Sequence, residues 1–476
     1  MAATATDVGR AVRLRRRGPE RAAVLTFVLT VVCTHRDLRA ETTPAWLDEY
    51  RAPAARLIGE ATSDAFAWHR LSTLTDTIGP RLSGSPQLDQ AIQWTLAEMK
   101  RDGLDNVHAE KVMVPRWVRG TESADIVHPA HLPLSMLGLG GSVGTPPGGI
   151  EAPLLLVRSY DELEAQAARA RGRIVVFNVP FTSYAETSRY RWNGASRAAR
   201  LGAVAMLIRS VGPNGLRLPH TGGLTYAADA PRIPAAAISS EDADRLQRMT
   251  ERDDRVVVRL RMDAHIEPDV ESANVVGEIR GREKPEEVVV VGGHLDSWDV
   301  GAGASDDGGG CVVSWEALRI MKKLNLRPRR TVRVVLWTNE ENGGRGGLAY
   351  RDQHRAELAS HVLMMESDNG VSRPLGFGFN GSDAARRTVT AIATLLSSLA
   401  ASDVVAGGDG ADITPSVRAG RIPGMSLEVD TSQYFQIHHT PADTVDKIDP
   451  VEMAKCAAAV TVMAYVVADL PFRLGE

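Results

Sequence analysis

An α/β fold, a mostly parallel central sheet covered by helices on both faces, is what this sequence predicts. Three observations carry the reading. From Ser272 onward, runs of strand length alternate with helical stretches: strands at Val288 to Val291, Val332 to Trp337, Val362 to Met365 and Met425 to Val429, helices over about 309–324, 383–399 and 450–470. The strands are apolar throughout, the mark of a parallel sheet buried on both sides. Acids and histidines gather just beyond the strands' carboxyl ends, where open α/β sheets place their ligands.

At 476 residues the chain exceeds one ordinary domain, so two domains or one domain with a large insertion is expected. Hydrophobic residues make up 43% and charged residues 24%, ordinary for a globular protein. A net charge of −4 argues against a nucleic-acid binder. Cys33, Cys311 and Cys456 cannot form a disulfide framework, and their spacing fits no zinc knuckle.

The amino terminus stands apart. Arg13, Arg15, Arg16, Arg17 and Arg21 precede the apolar run Ala22 to Thr34, too short for the ~20 residues of a spanning helix. Charge followed by a short apolar core is the layout of a signal peptide over residues 1–40, with Leu38-Arg39-Ala40 as the cleavage segment. A secreted or periplasmic protein without stable membrane insertion is expected.

From Pro44 to about Lys111 the pattern reads as helical, with Leu88, Ile92, Leu96 and Met99 on one face. Ser85 is placed to cap the helix that Pro86 begins. Residues 115–265 change character: Leu154 to Val157, Ile174 to Phe177, Val204 to Ile208 and Ala235 to Ile238 alternate with Arg- and Ala-rich helices. This block holds no cluster of His, Asp and Glu and reads as an α/β insertion without chemistry of its own. It divides a catalytic domain into parts 41–114 and 266–476. The apolar terminal helix is core packing.

Five segments carry the chemistry. Gly292-Gly293-His294-Leu295-Asp296-Ser297 ends a buried strand in a histidine, with a carboxylate two residues on to fix the ring. In Ser305-Asp306-Asp307-Gly308-Gly309-Gly310 a cramped loop holds two acids before a helix, and one carboxylate there can bridge two cations or cap the helix. Glu340-Glu341 leaves a strand as an adjacent pair; a cation relieves the repulsion, one acid ligating while the other accepts a proton. Met364-Met365-Glu366-Ser367-Asp368 places acid after a buried strand, costly without a partner. His438-His439 supplies a further imidazole from either ring, with Asp443 to orient the loop or a ring nitrogen. Nitrogen and oxygen donors without thiolates suit Zn²⁺, with Mn²⁺ or Co²⁺ as substitutes, and the ligand count fits two metals sharing a carboxylate.

The order GGHLDSWDVGAGASDDGGG, WTNEENGG, MESD and HHTPADT resembles the zinc aminopeptidase and glutamate carboxypeptidase superfamily, most of all its plasma glutamate carboxypeptidase group. The segments His294 to Gly301, Asp306 to Gly310 and Ser314-Trp315-Glu316-Ala317-Leu318 carry the likeness, which covers Pro44 to the carboxyl terminus. The resemblance implies two Zn²⁺ per chain, one held by His294 and Asp368, the other by Glu341 and His439, with Asp306 bridging and a cis peptide to Asp307. It makes Glu340 the general base and has Asp296 orient His294. His439 is preferred to His438 because the ligand His stands four residues before an Asp-Thr pair. The block 115–265 is similar to a protease-associated domain, and relatives suggest a homodimer. Asn339 and Asn342 depart from close relatives, and Asp412 is a candidate substrate contact.

The implied activity is exopeptidase hydrolysis of dipeptides or short peptides by metal-activated water, Glu340 passing the proton to the leaving amine. Neither Ser297 nor Cys311 sits in a nucleophile elbow. A single-zinc acyltransferase resembling glutaminyl cyclase is the alternative, and a non-catalytic receptor-like binding protein is another.

Overall fold

The computed structural model describes residues 44–252 and 255–476, so the signal segment and Cys33 lie outside the described residues. The main sheet has eight strands: β1 (Asp105–Val118), β2 (His265–Ile279), β3 (Lys284–His294), β4 (Arg330–Trp337), β5 (His361–Glu366), β6 (Pro374–Asn380), β7 (Asp403–Ala406) and β8 (Gly424–Val429). Their spatial order is β1-β2-β4-β3-β5-β8-β6-β7.

The centre β4-β3-β5-β8 is parallel throughout. The flanks are mixed: β1 on β2, β2 on β4 and β6 on β8 are antiparallel. The valine run explains the parallel centre. Val288 and Val290 pack with Val335, Trp337 and Tyr350 on one face. Val289 and Val291 pack on the other, with Val332, Val334 and the helices there. Burying each valine contributes ~1.5–3 kcal/mol, so neither side of β3 tolerates a polar residue cheaply.

Helix α1 (Pro86–Arg101) begins as the sequence implies: the Ser85 side chain accepts the Leu88 amide at 3.2 Å and Pro86 opens the first turn. Beyond it the helical expectation fails. Residues 105–111 belong to β1, because the helix ends at Arg101 and Gly103, at positive φ, turns the chain out of it. Glu110 to Val114 then alternates buried and exposed, the period of a strand with one covered face.

Strands between Glu122 and Met262 form a second eight-stranded sheet, with parallel strands 150–157, 174–177, 205–209 and 235–238 at its heart. Helix α2 (Tyr184–Arg200) packs on one face. On the main sheet, α3 (Gly309–Lys323) links β3 to β4, and the terminal helix α4 (Pro450–Asp469) packs closely on α3. Helix α4 is long and apolar enough to cross a membrane, yet its most apolar window is 83% buried inside the fold. Cys311 and Cys456 are buried free thiols.

Candidate metal centre

The chain leaves β3 for β4 on one side, then crosses to β5 on the other, so strand order reverses at the carboxyl end of β3. That switch point opens a crevice, and His294 is its last strand residue. Glu340 and Glu341 follow the end of β4, Asp368 follows β5, and His439 lies in the loop after β8. The sheet thereby brings together residues far apart in sequence.

Asp306 sits at the middle. Its Oδ1 lies 3.2 Å from His294 Nε2, and its Oδ2 lies 3.2 Å from His439 Nε2. Asp368 Oδ1 also lies 3.2 Å from His294 Nε2, and Glu341 Oε2 lies 3.1 Å from His439 Nε2. The arrangement has two ends, His294 with Asp368 and His439 with Glu341. One carboxylate spans them. The Asp306–Asp307 peptide is cis.

Each imidazole is turned by a backbone carbonyl. His294 Nδ1 donates to Asp296 O at 2.9 Å, and His439 Nδ1 to Thr221 O at 3.3 Å. Both Nε2 atoms then face carboxylate oxygens, a contact that needs either a proton or a bound cation between nitrogen and oxygen. The N···O separations are close to the ~3.3 Å between donors on a tetrahedral zinc. Glu341 Oε1 is buried with no protein partner, a further open ligand atom. The residues present therefore fit zinc.

Asp307 also offers an oxygen near His294 and Asp368. Its two oxygens accept the amides of His294 at 3.0 Å and Gly310 at 3.1 Å, so Asp307 braces the loop. Gly293 has no side chain because a Cβ there would strike that same carboxylate.

The Asp296 carboxylate stands 3.8 Å from His294 Nδ1, beyond a hydrogen bond. It accepts the amides of Glu340 at 3.1 Å and Glu341 at 3.4 Å, and Ser83 Oγ at 3.1 Å. Asp296 thus sets the ring through its carbonyl and the acid pair through its carboxylate. Asn339 takes φ +66° at the turn and donates to Ser83 Oγ and to Asn342 Oδ1, which ties the pair down. Burial pushes Glu340 well above the ordinary Glu value, with Asp368, Glu341 and Asp306 adding to the rise and His294 opposing it.

Asp443 orients the loop: its oxygens accept the amides of Ser305 at 2.7 Å and Asp306 at 3.1 Å. Glu366 accepts the amides of Asp412 and Ile413, and burial then Asp368 push it up to about 8. Asp412 is buried with both carboxylate oxygens unpartnered and stands outside the cavity wall. His438 lines the cavity beside His439, its ring nitrogens unpartnered.

Sequence reasoning missed several residues. Arg81, fully buried, donates to the carbonyls of Leu295, Ala302 and Gly303 and staples both ends of the site loop. The segment read as free of chemistry supplies Tyr184, Arg191 and Trp192 to a cavity of ≈270 Å³ that also includes Asp306, Glu340, Glu341, Asp368 and His439. A guanidinium, aromatic rings and a backbone carbonyl leave no ligand-type signature, which is why that segment looked inert.

Fold and site together define a metallopeptidase of the parallel-sheet type. Residues 274–464 match the model of peptidase family M28. Carboxypeptidase Q of Mus musculus is 49% identical over 404 residues, 85% of this chain and 86% of that protein. The Homo sapiens carboxypeptidase Q is 47% identical over 85% of each. Among solved structures, a peptidase M28 precursor from Shewanella amazonensis superposes with TM-score 0.86 at 36% identity, covering 90% of this chain and 99% of its own. A zinc aminopeptidase from Bacillus subtilis shares the fold, with TM-score 0.65 at 21% identity over 86% of this chain and 96% of its own. The chain belongs to peptidase family M28.

Proposed function

We propose that this zinc metallopeptidase, an exopeptidase acting on peptides, is a secreted enzyme that works with two zinc ions and Glu340 as general base. One observation carries the reading: the two oxygens of Asp306 face two separate histidines, each with its own second carboxylate. His294 and Asp368 would hold one ion, His439 and Glu341 the other, with Asp306 shared. Bound zinc supplies Lewis acidity, activating water and polarising the scissile carbonyl.

The chain's own groups do the rest. Glu340 lines the cavity, its amide held by Asp296, and takes a proton from the attacking water. It then delivers that proton to the leaving amine nitrogen. Arg191 also lines the cavity and has no carboxylate partner among the described residues. Tyr184 Oη, 2.8 Å from a terminal guanidinium nitrogen, holds it in place. A buried cation without a counter-ion suits the free carboxylate of a short peptide, which favours trimming at the carboxyl end or cleavage of dipeptides. The segment 115–265 acts as an inserted module that walls the cleft. Secretion rests on the charge and apolar layout of residues 1–40.

Zinc analysis combined with a dipeptide-library screen, with and without chelator, tests this reading. Two zinc per chain and chelator-sensitive release of carboxyl-terminal residues are expected. One zinc per chain with cyclisation of amino-terminal glutamine would replace it with the acyltransferase.

A further inference from the structure

The motif after β3 continues past its catalytic part into Trp298-Asp299, and both residues leave the main sheet for the second one. Trp298 is buried in the core under the second sheet, with Leu82, Trp117 and Met262. Its ring lies against Gly140, where a side chain would collide with it, and its centroid stands 5.7 Å from that of His439. Asp299 is gripped at both oxygens by Arg119, Nε at 2.9 Å and a terminal nitrogen at 2.6 Å. This fork-on-carboxylate geometry fixes direction as well as charge.

Arg119 reaches further. Its other terminal nitrogen donates to Gly138 O at 2.6 Å, and the one on Asp299 also donates to Thr221 Oγ1 at 3.3 Å. Thr221 Oγ1 itself donates to Gly138 O at 2.7 Å. Thr221 is fully buried, and its backbone meets His439 twice: Thr221 N donates to His439 O at 3.0 Å, and Thr221 O accepts His439 Nδ1. A continuous polar chain therefore runs from Asp299 through Arg119 and Thr221 to one ligand histidine. His294, by contrast, takes its bond from Asp296 within its own loop.

We infer that the Asp299–Arg119 ion pair is a positioning device for His439: it holds Thr221 by its hydroxyl, placing the carbonyl that orients the ring, and so sets how tightly the His439–Glu341 zinc is bound. The inference rests on the two-zinc reading above. Partners that orient a ligand histidine commonly change metal affinity by ~10–100-fold. The effect here is one-sided, because no member of the chain touches His294 or Asp368.

The experiment is stepwise zinc removal by a competing chelator from the purified full-length enzyme, comparing wild type with Asp299→Asn, Arg119→Gln, the double variant and Thr221→Val. The melting temperature of each zinc-free protein is recorded alongside. Expected is one zinc loosened roughly 10–100-fold and the other unchanged in Asp299→Asn and in Arg119→Gln, with the double variant no worse than either single. Thr221→Val, which keeps the carbonyl, should show a smaller loss at the same zinc. Equal loosening of both ions, or altered melting with both affinities unchanged, overturns the inference and leaves a purely structural ion pair. A wild-type protein that binds a single zinc instead overturns the two-zinc reading, a distinct result.

Discussion

Asp443 accepts the Asp306 amide at 3.1 Å from a loop 137 residues further along the chain, and takes the Ser305 amide with its other oxygen. The Asp306 carboxylate, set between His294 and His439, is therefore aimed from behind by a second carboxylate. An amide cannot replace it, because the NH₂ of an asparagine would face a backbone N–H donor.

Asp443→Asn should weaken zinc binding by roughly 10–100-fold and reduce peptide turnover in parallel, with activity recovered at high zinc. Chelator competition with assays across a zinc titration checks this. Activity restored at no zinc level, with affinity unaltered, would contradict it.

On the proposed mechanism, in which Glu340 moves a proton and binds no metal, Glu340→Gln should keep both zinc ions and lose roughly 100- to 10,000-fold in kcat. Metal content and dipeptide turnover on the same preparation decide the matter. Unchanged turnover would remove Glu340 from the proton path.

Arg191→Gln should raise KM for dipeptides with a free carboxylate by roughly 10–100-fold, the worth of a charge-assisted hydrogen bond of ~1.5–3 kcal/mol. The corresponding carboxyl-terminal amides should be affected little. Equal effects on acid and amide would mean that Arg191 only shapes the wall.

Away from the site, His361 provides a pH prediction. Burial, with the Arg333 and His354 charges behind it, lowers its pKa to about 4, against 6.5 ordinarily, and the carbonyl and carboxylate of Glu357 oppose this. Tyr350 Oη and that carbonyl bond its two ring nitrogens at 2.9 and 3.0 Å. Above pH 6.5 the ring is neutral folded and unfolded, and its contribution is complete. As pH falls from 6.5 towards 4, the unfolded chain binds a proton that the folded one refuses, and ~3 kcal/mol is lost. Urea midpoints between pH 7 and 4.5 should fall less steeply for His361→Gln than for wild type; parallel curves would contradict the assignment.

The central sheet was legible because strands buried on both faces are written as unbroken apolar runs, and Val288 to Val291 is the clearest. Ser85 and Pro86 likewise announced α1. The antiparallel flank was not, since β1 mixes His108, Lys111 and Pro115 with its valines and shows its period only where one face is covered. All five expected ligand residues converge in the structure, since a histidine or acid at a strand end is chemically conspicuous. Arg81, Thr221 and the carbonyl of Asp296 stayed hidden, because their contribution comes from backbone geometry or from pairing between segments far apart in sequence.

Val118, the last residue of β1, is the register partner of His265, the first of β2. The chain thus departs from the main sheet and rejoins it at one rung of a ladder, with everything from 119 to 264 hung from that point. A short hairpin turn could close the same rung without disturbing the register on either side. The pairing of the main sheet at this rung is therefore indifferent to what the outer segment contains, whereas the metal centre is not, because Thr221 and Arg119 of that segment hold His439 and Asp299.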